Sequence, residues 1–139
     1  MKLYIASHSR ETAAQLRKNL IAAGHEVTSR WITNDTKFHM GPDAYSGPEK
    51  SQIAVMDEED VRSATDGVVV VAEPEGRYVP GGKHVEAGIA LGLGRPLYVI
   101  GRRENIFHWH PRTRVFTAES ELLTYLAQAQ EAASRQEQH

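Results

Sequence analysis

Residues 80–94 read Pro80-Gly81-Gly82-Lys83-His84-Val85-Glu86-Ala87-Gly88-Ile89-Ala90-Leu91-Gly92-Leu93-Gly94, and this stretch decides the fold. An apolar run, Val68-Val69-Val70-Val71-Ala72, precedes it, followed by a loop with Glu73, Pro74 and Gly76. Arg95-Pro96 and a second run, Leu97-Tyr98-Val99-Ile100, follow it. Strand, loop, helix and strand make a βαβ unit, so the sheet is parallel and its ligand loops open at the carboxyl ends of the strands. The reading places Glu86 in the first turns of the helix, with Gly88, Gly92 and Gly94 behind it. Each interior glycine costs about 1 kcal/mol of helix propensity against alanine, so a neighbouring element or a ligand is expected to approach this helix closely.

An acid near a helix N-terminus ordinarily offsets the macrodipole, and spacing alone does not take Glu86 beyond that. Residue identity does. The run 81–91 together with Gly94-Arg95 resembles the signature of the nucleoside 2-deoxyribosyltransferase family, including the related 2'-deoxynucleoside 5'-phosphate N-hydrolases. That family carries its nucleophilic Glu in an E-x-G-x-A-x-x-x-G-[KR] pattern on a flavodoxin-like fold. The resemblance implies that Glu86 is the nucleophile and that Tyr4, on the first strand, orients it. It implies a three-layer α/β sandwich around a five-stranded parallel sheet of order 2-1-3-4-5. It also places Gly82 and His84 against the substrate, Gly82 because a side chain there would block close approach.

The 139 residues suit one domain, residues 1–133, followed by a polar tail over residues 134–139. Apolar residues make up 40%, and no run approaches the roughly 18 that a membrane helix needs. A net charge of −2 implies no basic face for a nucleic acid polymer. Without cysteine there are no disulfides, thiolate metal sites or thiol nucleophile. Met1 to Ile5 leads straight into a strand rather than a secretory segment, so a cytoplasmic protein is expected.

Leu3 to Ala6 is the first predicted strand, and residues 11–23 carry a helical period at Ala13, Leu16, Leu20 and Ala23. Between them, Ser7, Ser9 and Arg10 could hold a phosphate or sugar hydroxyl at a helix N-terminus. Equally, Ser9 could cap the helix, with Arg10 solvated. Residues 25–31 read as a second strand. The long loop 33–48 carries Phe38, Met40 and Tyr45 and is read as a lid that stacks on a base. Residues 49–64 read as a helix with Ile53, Met56 and Val61 inward and an acidic run, Asp57-Glu58-Glu59-Asp60. The resemblance gives Asp57 a catalytic role, but the spacing to Asp66 is one residue longer than the family's, so Asp60 or Glu58 could be the inward acid.

The segment Arg103-Glu104-Asn105-Ile106-Phe107-His108 also resembles shorter members of the family. There an Asn or Ser in this loop completes a neighbouring subunit's site, which singles out Asn105 and implies a homodimer or larger assembly with Phe107 and Trp109 as buried anchors. His108 and His110 are two imidazoles without a third ligand nearby, so no metal is read from them. A last strand at residues 114–117 and an amphipathic helix at 119–133 complete the chain.

Breaking an N-glycosidic bond develops positive charge on the sugar, which a carboxylate stabilises and then captures as a covalent glycosyl intermediate. A second acid protonates the departing base. The resemblance therefore implies cleavage or deoxyribosyl transfer on a nucleoside or nucleoside 5'-monophosphate, with no cofactor. The alternative is a non-catalytic nucleotide-binding or sensing module on the same fold. A dinucleotide oxidoreductase is disfavoured, since no G-x-G-x-x-G follows the first strand.

Overall fold

The computed structural model describes residues 1–34, 42–76 and 81–138. Five strands form one parallel sheet: β1 (Lys2–Ala6), β2 (Glu26–Val27), β3 (Val68–Val71), β4 (Leu97–Ile100) and β5 (Thr113–Phe116), in order β2-β1-β3-β4-β5. The helices are α1 (Arg10–Ala22), α2 (Trp31–Asn34), α3 (Gly47–Ser63), α4 (Gly82–Gly92) and α5 (Glu119–Glu137). This is the flavodoxin-like α/β arrangement that the resemblance implied, with the parallel pairing expected from the βαβ pattern. Helices α3 and α4 pack on one face; α1 and α5 cover the other, joined where Asn19 Nδ2 donates to Glu119 Oε1 at 2.6 Å. Right-handed crossovers between parallel strands produce the two layers. Leu3, Tyr4, Ile5, Val68, Val69, Val70 and Val99 are fully buried, as strands covered on both faces must be.

The second strand is shorter than the expected 25–31. Only Glu26 and Val27 pair with β1, and Trp31 already begins the helical turn α2. Beyond that point side chains replace the ladder: Ser29 Oγ accepts from Ile5 N at 2.7 Å and Trp31 Nε1 donates to Ile5 O at 3.1 Å. Those two residues satisfy the backbone of β1 where a longer β2 would otherwise have done so. At the other end, α5 runs to Glu137, so most of the expected polar tail continues the helix; i, i+4 pairing of Arg135 with Glu131 suits that extension. Phe38 and Met40 of the expected lid lie outside the described residues, while Tyr45 precedes a capping box in which Ser46 and Glu49 bind each other's backbone at the start of α3.

For the glycines of α4 the sequence offered a neighbouring element or a ligand, and the described residues place no such element over them. A Cβ built on Gly82, Gly88 or Gly92 would meet no atom within 4 Å among the described residues, so that face of the helix is open. Close contact instead governs Gly67, which has φ +123°, and a Cβ there would lie 2.5 Å from Pro96 O. Arg95 does the joining at this end of the sheet, its Nη1 donating to Val61 O at 2.9 Å, Arg62 O at 2.6 Å and Ala64 O at 3.3 Å. These carbonyls close the C-terminus of α3, and two of them also accept backbone N–H groups, Val61 O from Ala64 and Ala64 O from Gly67, so Arg95 fastens α3 to the entrance of β4.

Two glycines with positive φ therefore carry different penalties. Gly67→Ala is expected to cost about 2–4 kcal/mol, from backbone strain plus the clash with Pro96. Gly94→Ala, at φ +78° in open space, meets no clash and is expected to cost about 1 kcal/mol. Urea midpoints at unchanged slope would rank the two; equal costs would show that the crowding at Pro96 relaxes freely.

Candidate functional site

The side chains of α4 divide by angle. At about 100° per residue, Lys83, Ala87 and Ala90 form one stripe, and all three are buried toward the sheet. Glu86 projects about 60° to one side of that stripe and His84 about 100° to the other. The helix thus presents Glu86 to the α3 side and His84 to the β5 side.

On the α3 side Glu86 meets the sheet. The Tyr4 hydroxyl, buried at the centre of β1, donates to Glu86 Oε2. A buried phenol needs such a partner, and a carboxylate is the strongest neutral-pH acceptor available to it. Burial pushes the Glu86 carboxyl up from 4.5 to about 8; the Tyr4 hydrogen bond opposes that shift, and the charge of Asp57 adds to it. Burial and the charges of Glu86 and Asp57 also drive the Tyr4 phenol well above its ordinary range. Glu86 is in the second turn of α4 rather than the first, so helix-dipole stabilisation is not what holds this group.

The acidic run of α3 separates cleanly. Asp60 is buried and accepts from Arg30 N at 2.9 Å and Arg30 Nε at 2.8 Å, a structural link between α3 and the segment after β2. Glu58 is exposed and pairs with Arg62 at 2.8 Å. Glu59 reaches Arg30 from the surface at 3.1 Å. Half-buried Asp57 is the member of the run whose charge acts on both Glu86 and Tyr4.

In the loop after β1, Ser9 caps α1 by accepting from Thr12 N at 3.2 Å. Ser7 Oγ donates to Ser9 O at 3.2 Å, and Arg10 Nε donates to Ile32 O at 2.8 Å. Capping, one of the two readings left open for Ser9, is therefore realised, and Arg10 spends its Nε on holding α2. Gly82 opens α4 with no neighbour over its Cα, and Gly81 at the N-cap has no side chain to cap with.

On the β5 side Asn105 Nδ2 approaches His84 Nδ1 at 3.2 Å. The pair opens a groove of about 760 Å³ lined along α4 by Ala87, Gly88, Leu91 and Gly92, and opposite them by Ile106 and Phe107. The open glycine face of α4 is therefore the floor of this groove. Because His84 and Glu86 project about 160° apart, the groove and the Tyr4–Glu86–Asp57 cluster occupy opposite flanks of one helix. Phe107 and Trp109 are 62% and 65% exposed, so neither is buried within a single chain. His108 by contrast is buried, its Nδ1 accepting from Glu104 N at 3.0 Å. Among the described residues, no three His, Cys, Asp or Glu side chains are placed to share a metal ion, and no helix is long and apolar enough to cross a membrane.

Sequence reasoning passed over one cluster entirely. Lys83, buried under α4, lies 2.8 Å from Glu104 and 3.7 Å from Glu73. The available signal was Glu73 itself: a carboxylate directly after an all-apolar buried strand calls for a buried cation.

No family model matches the chain, and no curated protein matches it. The fold is similar to that of a solved structure from work on the 2-deoxyribosyltransferase of the psychrotolerant bacterium Bacillus psychrosaccharolyticus, with 21% identity over 88% of this chain and 90% of that one and a TM-score of 0.66. At that identity the likeness establishes a shared flavodoxin-like fold.

Proposed function

We propose that this protein breaks or transfers the N-glycosidic bond of a nucleoside or nucleoside 5'-monophosphate through a covalent glycosyl–Glu86 intermediate. The observation that carries the reading is the buried Tyr4–Glu86 pair, with the charge of Asp57 acting on both, on the α3–α4 face of a parallel sheet. The shared fold with a 2-deoxyribosyltransferase structure and the residue pattern around Glu86 agree with it.

In the first step a Glu86 oxygen bonds to the anomeric carbon. The C–N bond breaks, its electron pair leaves with the base nitrogen, and the Asp57 carboxyl supplies that nitrogen's proton. In the second step water or another base attacks the anomeric carbon and releases Glu86. The attacker's proton returns to Asp57. Tyr4 holds the Glu86 oxygen it contacts and leaves the other to react. Burial that raises Glu86 to about 8 keeps a proton on its carboxyl at neutral pH. The reactive arrangement has that proton on Asp57 and the charge on Glu86, so the pair works as a unit.

The pH dependence follows. Base release is expected to fall as pH rises through about 8, where the pair gives up its remaining proton. A rate that climbs over that range would remove Asp57 from the role of acid.

Glu86→Gln tests the nucleophile directly. The amide keeps the size and can still accept from Tyr4, but it cannot hold a sugar, so turnover should fall by at least about 10³-fold. Stability should move the opposite way. The folded-state value of Glu86 is raised above 4.5, so its contribution is intact below pH 4.5 and is lost as pH climbs to about 8. A glutamine escapes that loss. The variant should therefore melt above the wild type at pH 8, with the gap closing toward pH 4.5. Wild-type base release by Glu86→Gln would end this reading and leave a nucleotide-binding module.

The substrate-facing roles of Ser7, Gly82, His84 and Asn105 belong to the same proposal. Since His84 and Asn105 lie across α4 from Glu86, they serve a site only if a second copy carries them there. The exposed Phe107 and Trp109 beside that groove would anchor such a homodimer. Light scattering is expected to show a dimer that Trp109→Asp dissociates; a monomer at high micromolar concentration would refute the arrangement.

A further inference from the structure

We propose that Lys83 is a positioning residue that aims both flanks of α4 from beneath, an inference that rests on the function proposed above. Its side chain is 2% exposed. The ammonium donates to Val71 O at 3.1 Å and to Glu104 Oε2 at 3.0 Å, approaches Glu104 Oε1 at 2.8 Å, and lies 3.7 Å from Glu73 Oε1. The backbone of Glu73 adds two ties: its N–H donates to Glu104 Oε2 at 3.3 Å, and its carbonyl accepts from Arg102 Nε at 3.2 Å. One buried cation therefore joins the end of β3, the first turn of α4 and the loop after β4.

The residues this point controls are those the site uses. Glu86 is one turn along from Lys83. His84 is the next residue, and Asn105 follows Glu104; these two meet at 3.2 Å. Glu104 N also fixes the His108 ring at 3.0 Å, which anchors the loop from below. Burial alone would push the Glu104 carboxyl up, yet Lys83 and the Glu73 N–H outweigh it and hold the group below its ordinary value, so it stays charged.

Stability is a poor reason for such a cluster. Desolvating three charges can cost as much as their attraction returns, and well-packed neutral residues of similar volume often do as well. What neutral residues cannot supply is direction. A charge with three donors, set against two carboxylates and a carbonyl, favours one arrangement of these three segments where apolar packing permits several.

The test compares Lys83→Met, which strands two buried carboxylates, with a triple variant, Lys83→Met, Glu73→Gln and Glu104→Gln, which leaves none. The triple variant is expected to fold with a melting temperature near the wild type. Its kcat for base release should nevertheless fall by about 10²-fold with KM changed far less, as a misaimed nucleophile produces. ¹⁵N relaxation should show new motion at residues 104–108. A folded triple variant with wild-type kcat and unchanged loop amides would overturn the proposal. So would a triple variant that cannot fold, because Lys83 would then hold the structure rather than aim the site. If the wild type itself releases no base, the functional reading fails, and the relaxation of residues 104–108 still decides whether Lys83 positions the loop.

Discussion

A phenol hydroxyl at the centre of a strand buried on both faces must find an acceptor, and in this protein it has to come from a helix. Glu86 supplies it to Tyr4. That single contact sets the rotation of α4 about its own axis. Once Glu86 faces β1, Lys83, Ala87 and Ala90 face the sheet, and His84, Gly88 and Gly92 face outward toward β5. Arg95 fixes the neighbouring helix by binding three carbonyls at the end of α3, so the element that carries Asp57 is anchored at the amino end of the same sheet. The distance between the two acids is thus governed by elements far apart in sequence.

Burial carries the chemistry here as well as the fold. A carboxyl in water would be ionised throughout the neutral range and hydrogen-bonded to solvent. In the crevice under α4, Glu86 is held back to about 8 by desolvation and by Asp57. A buried carboxyl beside a second acid is thereby held in a protonation state that solvent would not allow it. Lys83, Glu73 and Glu104 illustrate the complementary case, in which charges are kept by pairing with one another.

The groove on the other flank is of a different kind. It is apolar along α4, rimmed by His84 and Asn105, and bordered by aromatic side chains exposed to solvent. Gly88 and Gly92 keep its floor clear of side chains, at a cost in helix propensity that no contact among the described residues offsets. Helix α4 is consequently a partition with two working faces, one closed and charged, the other open and largely apolar.

The sequence by itself determined that the sheet is parallel, because unbroken apolar runs such as Val68 to Val71, punctuated by loops and helical periods, admit little besides a parallel α/β sheet, while the strand order came from what the resemblance implied. It also pointed to Glu86 and Tyr4 through residue identity. Only the tertiary structure decided which acid of Asp57, Glu58 and Asp60 acts on Glu86, since a helix turns one side chain inward and its neighbour to solvent by rotations that depend on packing. The same holds for β2, where Ser29 and Trp31 took over backbone bonds that a strand was expected to make. It holds for Lys83, whose partners lie 10 and 21 positions away in a chain of 139. Local pattern reports what a segment can form; long-range pairing of buried charge depends on where three loops meet, and no local period encodes that.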